Sequence, residues 1–178
     1  MIHARWFDGA ASFSEDMRHR YHLTRRVLDP LPGAFKSLGW LMFNPSTATA
    51  SENDATIRKV IGFTRRAGYC DLEVVNLFSL RARNPKEVAV NLADASNDDN
   101  LRAIQEVASR TNVLVCAWGT LADNAWGQEQ VRTVLDWLPL ETTLLCIDTT
   151  KSRSPVHPLM QGYAKGLRTW TPNSARLP

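Results

Sequence analysis

Only three cysteines occur, Cys70, Cys116 and Cys146, and no two of them form a CxxC pair. Three thiols cannot all pair, so no disulfide framework is expected, and reduced thiols in a cytoplasmic protein are the natural reading. Cys116 and Cys146 sit inside apolar runs, where a free cysteine behaves as a small buried hydrophobe. No stretch approaches the ~18 consecutive apolar residues of a membrane span, and the N-terminus has no signal-peptide pattern; a soluble, cytoplasmic chain with no membrane partner is expected. Also missing are a GxSxG elbow, a GxxxxGK[ST] loop and a GxGxxG turn. Their absence removes the usual serine hydrolase, P-loop and dinucleotide-binding readings. His157 is the only histidine beyond residue 22 and has no histidine or cysteine nearby at ligand spacing, so no metal is expected.

What is present bounds the rest. The 178 residues fit one domain, 1–178, with a core over about 20–165. A formal charge of +3 permits a nucleic-acid partner without requiring one. The basic residues cluster at Arg18-His19-Arg20, Arg25-Arg26, Arg58-Lys59, Arg65-Arg66, Arg81 and Arg83, Lys151 and Arg153, and Lys165 and Arg168. Solvated helix faces account for part of this pattern.

Residues 20 to 28 have the β-branched and aromatic content of an edge strand, closed by the turn chemistry of Asp29-Pro30-Leu31-Pro32-Gly33. Four apolar runs follow, at Leu38 to Phe43, Leu72 to Phe78, Val113 to Trp118 and Thr143 to Ile147. Such runs mark strands covered on both faces of a parallel sheet. Helical patterns lie between them. Asp54 caps a helix predicted over 55–67, with Ile57, Val60, Ile61 and Thr64 on one face and Gly68 after its end. Asp98 or Asp99 opens a second, to about Arg110, burying Leu101, Ile104 and Val107-Ala108. A third is expected over 122–137, with Trp126, Val131, Val134 and Leu135 inward. The alternation predicts a three-layer α/β/α sandwich on a four-stranded, mostly parallel sheet, with an N-terminal edge strand or hairpin and an irregular tail from Trp170.

Each core run ends at something polar or otherwise unusual. The first leads into Asn44-Pro45-Ser46-Thr47, the second contains Asn76, the third gives way to Trp118-Gly119, and the fourth leads through Asp148 to His157. In an open parallel sheet these carboxyl ends share one crevice, where such folds bind ligands. Asn76, inside an apolar run, needs a partner. A backbone group satisfies that need, and so does a ligand offering one donor and one acceptor, such as a pyrimidine edge. His157 stands in the loop from Lys151 to Met160, where Pro155 and Pro158 restrict the backbone on both sides. Asp148 is either a turn residue or a carboxylate that assists a water.

The order of motifs resembles the uracil-DNA glycosylase superfamily. Phe43-Asn44-Pro45-Ser46 is similar to the first-strand motif of its mismatch-specific thymine/uracil branch, Val75-Asn76-Leu77 to its base-reading motif, and His157-Pro158-Leu159-Met160 to its closing His-Pro-Ser. Ala117-Trp118-Gly119-Thr120-Leu121-Ala122 is similar to its strand-to-helix junction. The chain departs from that pattern at Met42-Phe43, where a glycine precedes the Asn-Pro, and at Leu159, where a serine follows the His-Pro. Over about residues 20–160 the chain also resembles a bacterial and phage family of domains of unknown function, DUF1643. That likeness rests on Asn44-Pro45-Ser46-Thr47-Ala48, on Asp54-x-Thr56-Ile57-Arg58 and on Val75-Asn76-Leu77-Phe78.

The glycosylase resemblance implies a uracil-DNA-glycosylase-like fold and a monofunctional DNA glycosylase that extrudes a pyrimidine and hydrolyses its N-glycosidic bond. Asn44 and His157 would be catalytic, Asn44 orienting the water and His157 donating to the base carbonyl as charge develops on it. Pro45, Ser46, Asn76 and Phe78 would bind the substrate. Ser46 stands where strict uracil enzymes carry a tyrosine, and its small side chain leaves room for a substituent at pyrimidine carbon five, of the kind phage DNA carries; an antiphage or DNA-modification role would follow. DNA, double- or single-stranded, is the implied partner. Lys151 and Arg153 would contact phosphates, with Arg58, Arg65 and Arg66 extending the basic track, and Leu159 or Met160 would wedge into the stack. No cofactor is implied, and the three cysteines leave no set for an iron-sulfur cluster. A monomer is expected. Two alternatives stand beside this: a nucleotide or nucleoside hydrolase or transferase, and a module that binds modified bases without cleaving them.

Overall fold

The structure, a computed structural model, describes residues 2–6, 9–28 and 36–172. The turn expected at Asp29 to Gly33 and the last six residues of the tail lie outside the described residues.

The four apolar runs become four adjacent parallel strands, β4 (Ser37–Met42), β5 (Asp71–Asn76), β6 (Val113–Cys116) and β7 (Thr143–Cys146). Before them come β1 (Ile2–Trp6), β2 (Gly9–Phe13) and β3 (Arg20–Arg26), an antiparallel meander that joins β5 through β3. At the other side β8 (Arg168–Thr169) pairs antiparallel with β7. The sheet order is β1-β2-β3-β5-β4-β6-β7-β8, so the sheet has eight strands and the parallel four are only its middle. The four-stranded expectation fell short because β2 reads Gly-Ala-Ala-Ser-Phe, too small in its side chains to register as an apolar run, and β8 has only two residues.

The helices are α1 (Ala55–Arg66), α2 (Lys86–Val90), α3 (Asp98–Thr111) and α4 (Ala125–Trp137). The Asp54 side chain accepts from the Ile57 amide at 2.8 Å and so starts α1 where the sequence predicted. Asn97 caps α3 in the same way, and Asn112, at φ 56°, ends it in the left-handed region that asparagine tolerates. The third expected helix starts three residues later than predicted. Gly119–Ala122 forms a 3₁₀ turn, after which the Asn124 side chain caps α4. The five-residue α2 lies in the β5–α3 connection, where no periodic pattern announced it.

Strand order and crossover handedness together decide which helix covers which face. The chain steps one way from β4 to β5 and the other way from β5 to β6 and from β6 to β7. Right-handed crossovers therefore put α1 on one face and α3 and α4 on the other. Two cores result. Leu38, Trp40, Met42, Val74 and Val115 pack with Ile57, Val60 and Phe63 of α1, while Leu41, Val75, Leu114 and Cys116 pack with Ile104 and Val107 of α3 and Val134 of α4. The Trp40 indole is fully buried, and its Nε1 donates to Thr64 Oγ1 at 3.0 Å, which satisfies both polar groups. Phe63 takes the deep position on α1 that the periodicity gave to Ile61, which is only half-buried.

The chain after β7 returns along α1. Tyr163 lies against Gly62, where a Cβ would fall 2.4 Å from the tyrosine Oη, so this close approach requires glycine. Lys59 Nζ and the Arg66 guanidinium sit 4.2 and 4.0 Å from the Tyr163 ring centroid. Trp170, expected in an irregular tail, packs edge-on against the buried Trp118 with centroids 5.3 Å apart, and its amide bonds to the Leu144 carbonyl. Among the described residues no helix is long and apolar enough to cross a membrane.

Candidate active site

The connections from β4 and β6 leave toward opposite faces, so the carboxyl ends of these adjacent strands flank a topological switch point. Asn44 follows β4, and Gly119 follows β6. Asn44 Nδ2 donates to Pro45 O at 2.9 Å and to Ala82 O at 3.0 Å. Two carbonyl acceptors fix the orientation of the amide. Its Oδ1 has no partner among the described residues and is left as a fixed acceptor. Pro45 is buried, and its carbonyl also receives the Ala82 amide, which ties the β4–α1 loop to the segment after β5.

His157 reaches the same edge from the β7 side. A Cβ on Gly119, whose φ is +69°, would stand 3.1 Å from the His157 Cβ, and Gly119 N donates to Pro155 O at 2.9 Å. The imidazole caps the short turn Pro158–Met160, its Nδ1 accepting from Leu159 N at 3.4 Å. A ring that accepts at Nδ1 carries its proton at Nε2 when neutral. Burial holds the His157 pKa below its ordinary value, and the negative charge of Asp54 at the start of α1 opposes that shift. The ring is thus a neutral Nε2–H donor.

Asn76 pairs in register with Met42, and paired positions on neighbouring strands share a face, so it lies on the α1 side. It is 1% exposed, and its Nδ2 is buried without a partner. Among the described residues the backbone bond that would have made it structural is absent; its own carbonyl accepts from Asn100 Nδ2 at 3.1 Å, while its side-chain donor has no partner there. Phe78 is not part of this gathering. It packs with Phe43 and Trp126, ring centroids 5.2 and 5.5 Å away, in the core beneath α3 and α4.

The His157 loop is held from below by a residue that sequence reasoning missed. Asp123 accepts from Ser152 Oγ at 2.6 Å and from Ser154 Oγ. Two serines in a loop signal a need for acceptors, but nothing in the chain order points to position 123. Lys151 and Arg153 project from this loop and are exposed. Leu159 and Met160, just past His157, are 41% and 87% exposed, an apolar pair left in solvent beside the imidazole. Asp148 is a tether: it accepts from Lys165 Nζ at 2.7 Å and Arg168 Nη2 at 2.6 Å, and the bonds from Lys165 and the Thr149 amide hold its pKa below the usual carboxylate value.

Ser46 and Thr47 line an open cleft of about 570 Å³ together with Arg81, Ala82 and Arg83. The loop carrying them is clasped from β3. Arg25 donates through Nε to Asn53 Oδ1 at 2.7 Å and through Nη2 to the carbonyls of Thr49 and Glu52, and Arg20 donates to Ala48 O at 3.1 Å. Arg58, Arg65 and Arg66, expected to extend a basic track, each donate to a backbone carbonyl, of Asn53, Val27 and Gly62. Among the described residues no group of three His, Cys, Asp or Glu side chains is placed to hold a metal ion.

The fold and its edge define a mixed α/β protein that gathers an amide acceptor, an imidazole donor and a buried amide where parallel strands end. The chain belongs to the family described as protein of unknown function (DUF1643), whose model matches residues 20–159. No curated protein and no solved structure matches it.

Proposed function

We propose that the chain is a DNA glycosylase-like enzyme, built on a uracil-DNA-glycosylase-like plan, that hydrolyses the N-glycosidic bond of a flipped pyrimidine carrying a substituent at carbon five. The observation that carries this reading is a complementary pair at one sheet edge: a fixed, unpartnered acceptor at Asn44 Oδ1 and a neutral Nε2–H donor on His157.

The chemistry divides between them. The C1′–N bond breaks and its electron pair leaves with the base, so negative charge grows on the pyrimidine carbonyl, where His157 donates a hydrogen bond. A water held by Asn44 Oδ1 then forms the new C1′–O bond with the sugar cation and loses its proton to solvent. An amide is no base, so this order requires bond cleavage to run ahead of water attack. Asn76 Nδ2 supplies a donor for the base edge, and Ser46 leaves space at carbon five. Leu159 and Met160 fill the gap behind an extruded nucleotide, which accounts for apolar side chains kept in solvent.

The test is an abasic-site cleavage assay on DNA containing uracil, mismatched thymine or carbon-five-modified pyrimidines. Abasic product is expected on a modified panel, falling at least a hundredfold in Asn44→Ala and His157→Ala, far more than any loss of folded protein read from thermal melting. Full activity in either variant would sink the assignment. A second reading, recognition without cleavage, draws on the amide at position 44. Tight binding to modified DNA with no abasic product would select it.

A further inference from the structure

We propose that the cleft beside Ser46 binds a phosphate group through Arg81 and Arg83, with Arg20 placing a second, buried positive charge behind its wall. A guanidinium has five N–H donors in a fixed fork. Arg81 gives one to Met17 O at 2.8 Å and lies 5.1 Å from the centroid of the Phe13 ring. These contacts hold the group in place, yet its Nε is buried with no partner among the described residues. Arg20 is 2% exposed and gives Nη1 to Ala48 O, and its Nε is equally without a partner. Neither forms an ion pair among the described residues. Stapling the β4–α1 loop explains the Ala48 bond but not two orphaned Nε donors. Arg81 lines the cleft with its guanidinium held in place by Met17 O and Phe13, and a fixed guanidinium at a cleft wall is suited to an oxyanion.

Charge leads the same way. Burial brings the Arg20 pKa down to about 10, with smaller contributions from the like charges of Arg81 and Arg25 and opposed by Asp54. An anion in the cleft would offset that repulsion. Glu52 and Glu87 also line the cleft, and Arg18 is paired with Asp94 at 2.6 Å, so the cations open to a ligand are Arg81 and Arg83. The hydroxyls of Ser46 and Thr47, which also line the cleft, can donate to the remaining phosphate oxygens. The inference shares a substrate class with the proposed function but needs no bond cleavage.

Binding would be measured by titration calorimetry with inorganic phosphate, a deoxynucleoside 5′-monophosphate and a short DNA duplex, on the full chain and on Arg81→Gln and Arg83→Gln. At least tenfold weaker binding of the preferred probe is expected in Arg81→Gln, with a smaller loss in Arg83→Gln. Preference for the duplex assigns the phosphate to a DNA backbone, and preference for the monophosphate assigns it to a free nucleotide; both carry the inference. Equal affinity in all three proteins, or no binding of any probe, would overturn it. Should Arg81→Gln fail to fold, the exposed Arg83 decides the question alone. Phosphate binding without abasic product would remove the cleavage reading and leave this one standing.

Discussion

At the scale of single residues, the hydrogen bonds a side chain already makes determine what it can offer a ligand. His157 is the clearest case, because the Leu159 amide at its Nδ1 leaves only Nε2 facing outward. Protonation would replace that acceptor with a second donor and break the capping bond. The histidine's folded pKa lies below the ordinary 6.5, so the unfolded chain takes up the proton first as pH falls, and the contribution of the neutral ring to stability is whole above 6.5 and lost below it. NMR titration should find the His157 ring titrating below 6.5. It should titrate lower still in Asp54→Asn, since that substitution removes the charge raising it and keeps a good helix cap. An unchanged value would show that Asp54 does not act on the ring. Gly119 supports the same side chain from the opposite wall. Gly119→Ala forces a Cβ into a positive-φ position against His157, at a cost of about 1–2 kcal/mol. Excision should fall in that variant by more than the loss of folded protein measured by thermal melting.

At the scale of elements, the parallel strands and the three long helices were legible because each carries a signal of its own: a run covered on both faces, or a 3.6-residue stripe, set in α1 behind the Asp54 cap. The Asn97 and Asn124 caps of α3 and α4 went unread. The meander β1–β3 was only partly legible, since its register comes from pairing rather than pattern, and its bulge between Ser12 and Phe13 leaves no trace in composition. Glu73 shows what a strand pattern hides. It sits in β5 under α3, 3.0 Å from His22 Nε2, and accepts from Arg110 and from Ser37 Oγ. Burial alone would raise its pKa, but the close His22 imidazole and the hydrogen bonds from Arg110 bring it down to about 2. Because the folded value is depressed from 4.5, the cluster stabilises fully above about pH 4.5 and loses that contribution as pH falls toward 2. Denaturant melts across this range should show the loss in the native chain and a flatter profile in Glu73→Gln. At neutral pH that variant should be destabilised by about 2 kcal/mol, less than for a fully buried pair because Arg110 is half-exposed.

At the scale of the whole molecule, the site was legible as a list of residues and illegible as an arrangement. Asn44, Asn76 and His157 could be named from the ends of apolar runs, because a parallel sheet sends all such ends to one edge. Asp123, Arg20 and Arg81 could not, since their roles depend on contacts between segments far apart in the chain. The same limit hides what the basic residues of α1 hold. Lys59 and Arg66 look free in sequence, but both face the Tyr163 ring and bind the returning C-terminal segment to α1. The basic residues therefore divide into cations that hold the fold and cations that face solvent at the candidate site, and the two groups should answer to different measurements. Lys59→Gln and Arg66→Gln should lower the melting temperature or loosen the segment from Tyr163 to Lys165 in hydrogen exchange, while leaving the salt dependence of DNA binding unchanged. Lys151→Gln should leave the melting temperature unchanged and reduce the slope of log affinity against log salt by about 0.9, the loss of one phosphate contact. If instead the α1 substitutions reduced the slope and Lys151→Gln did not, DNA would lie along α1 rather than across the His157 loop.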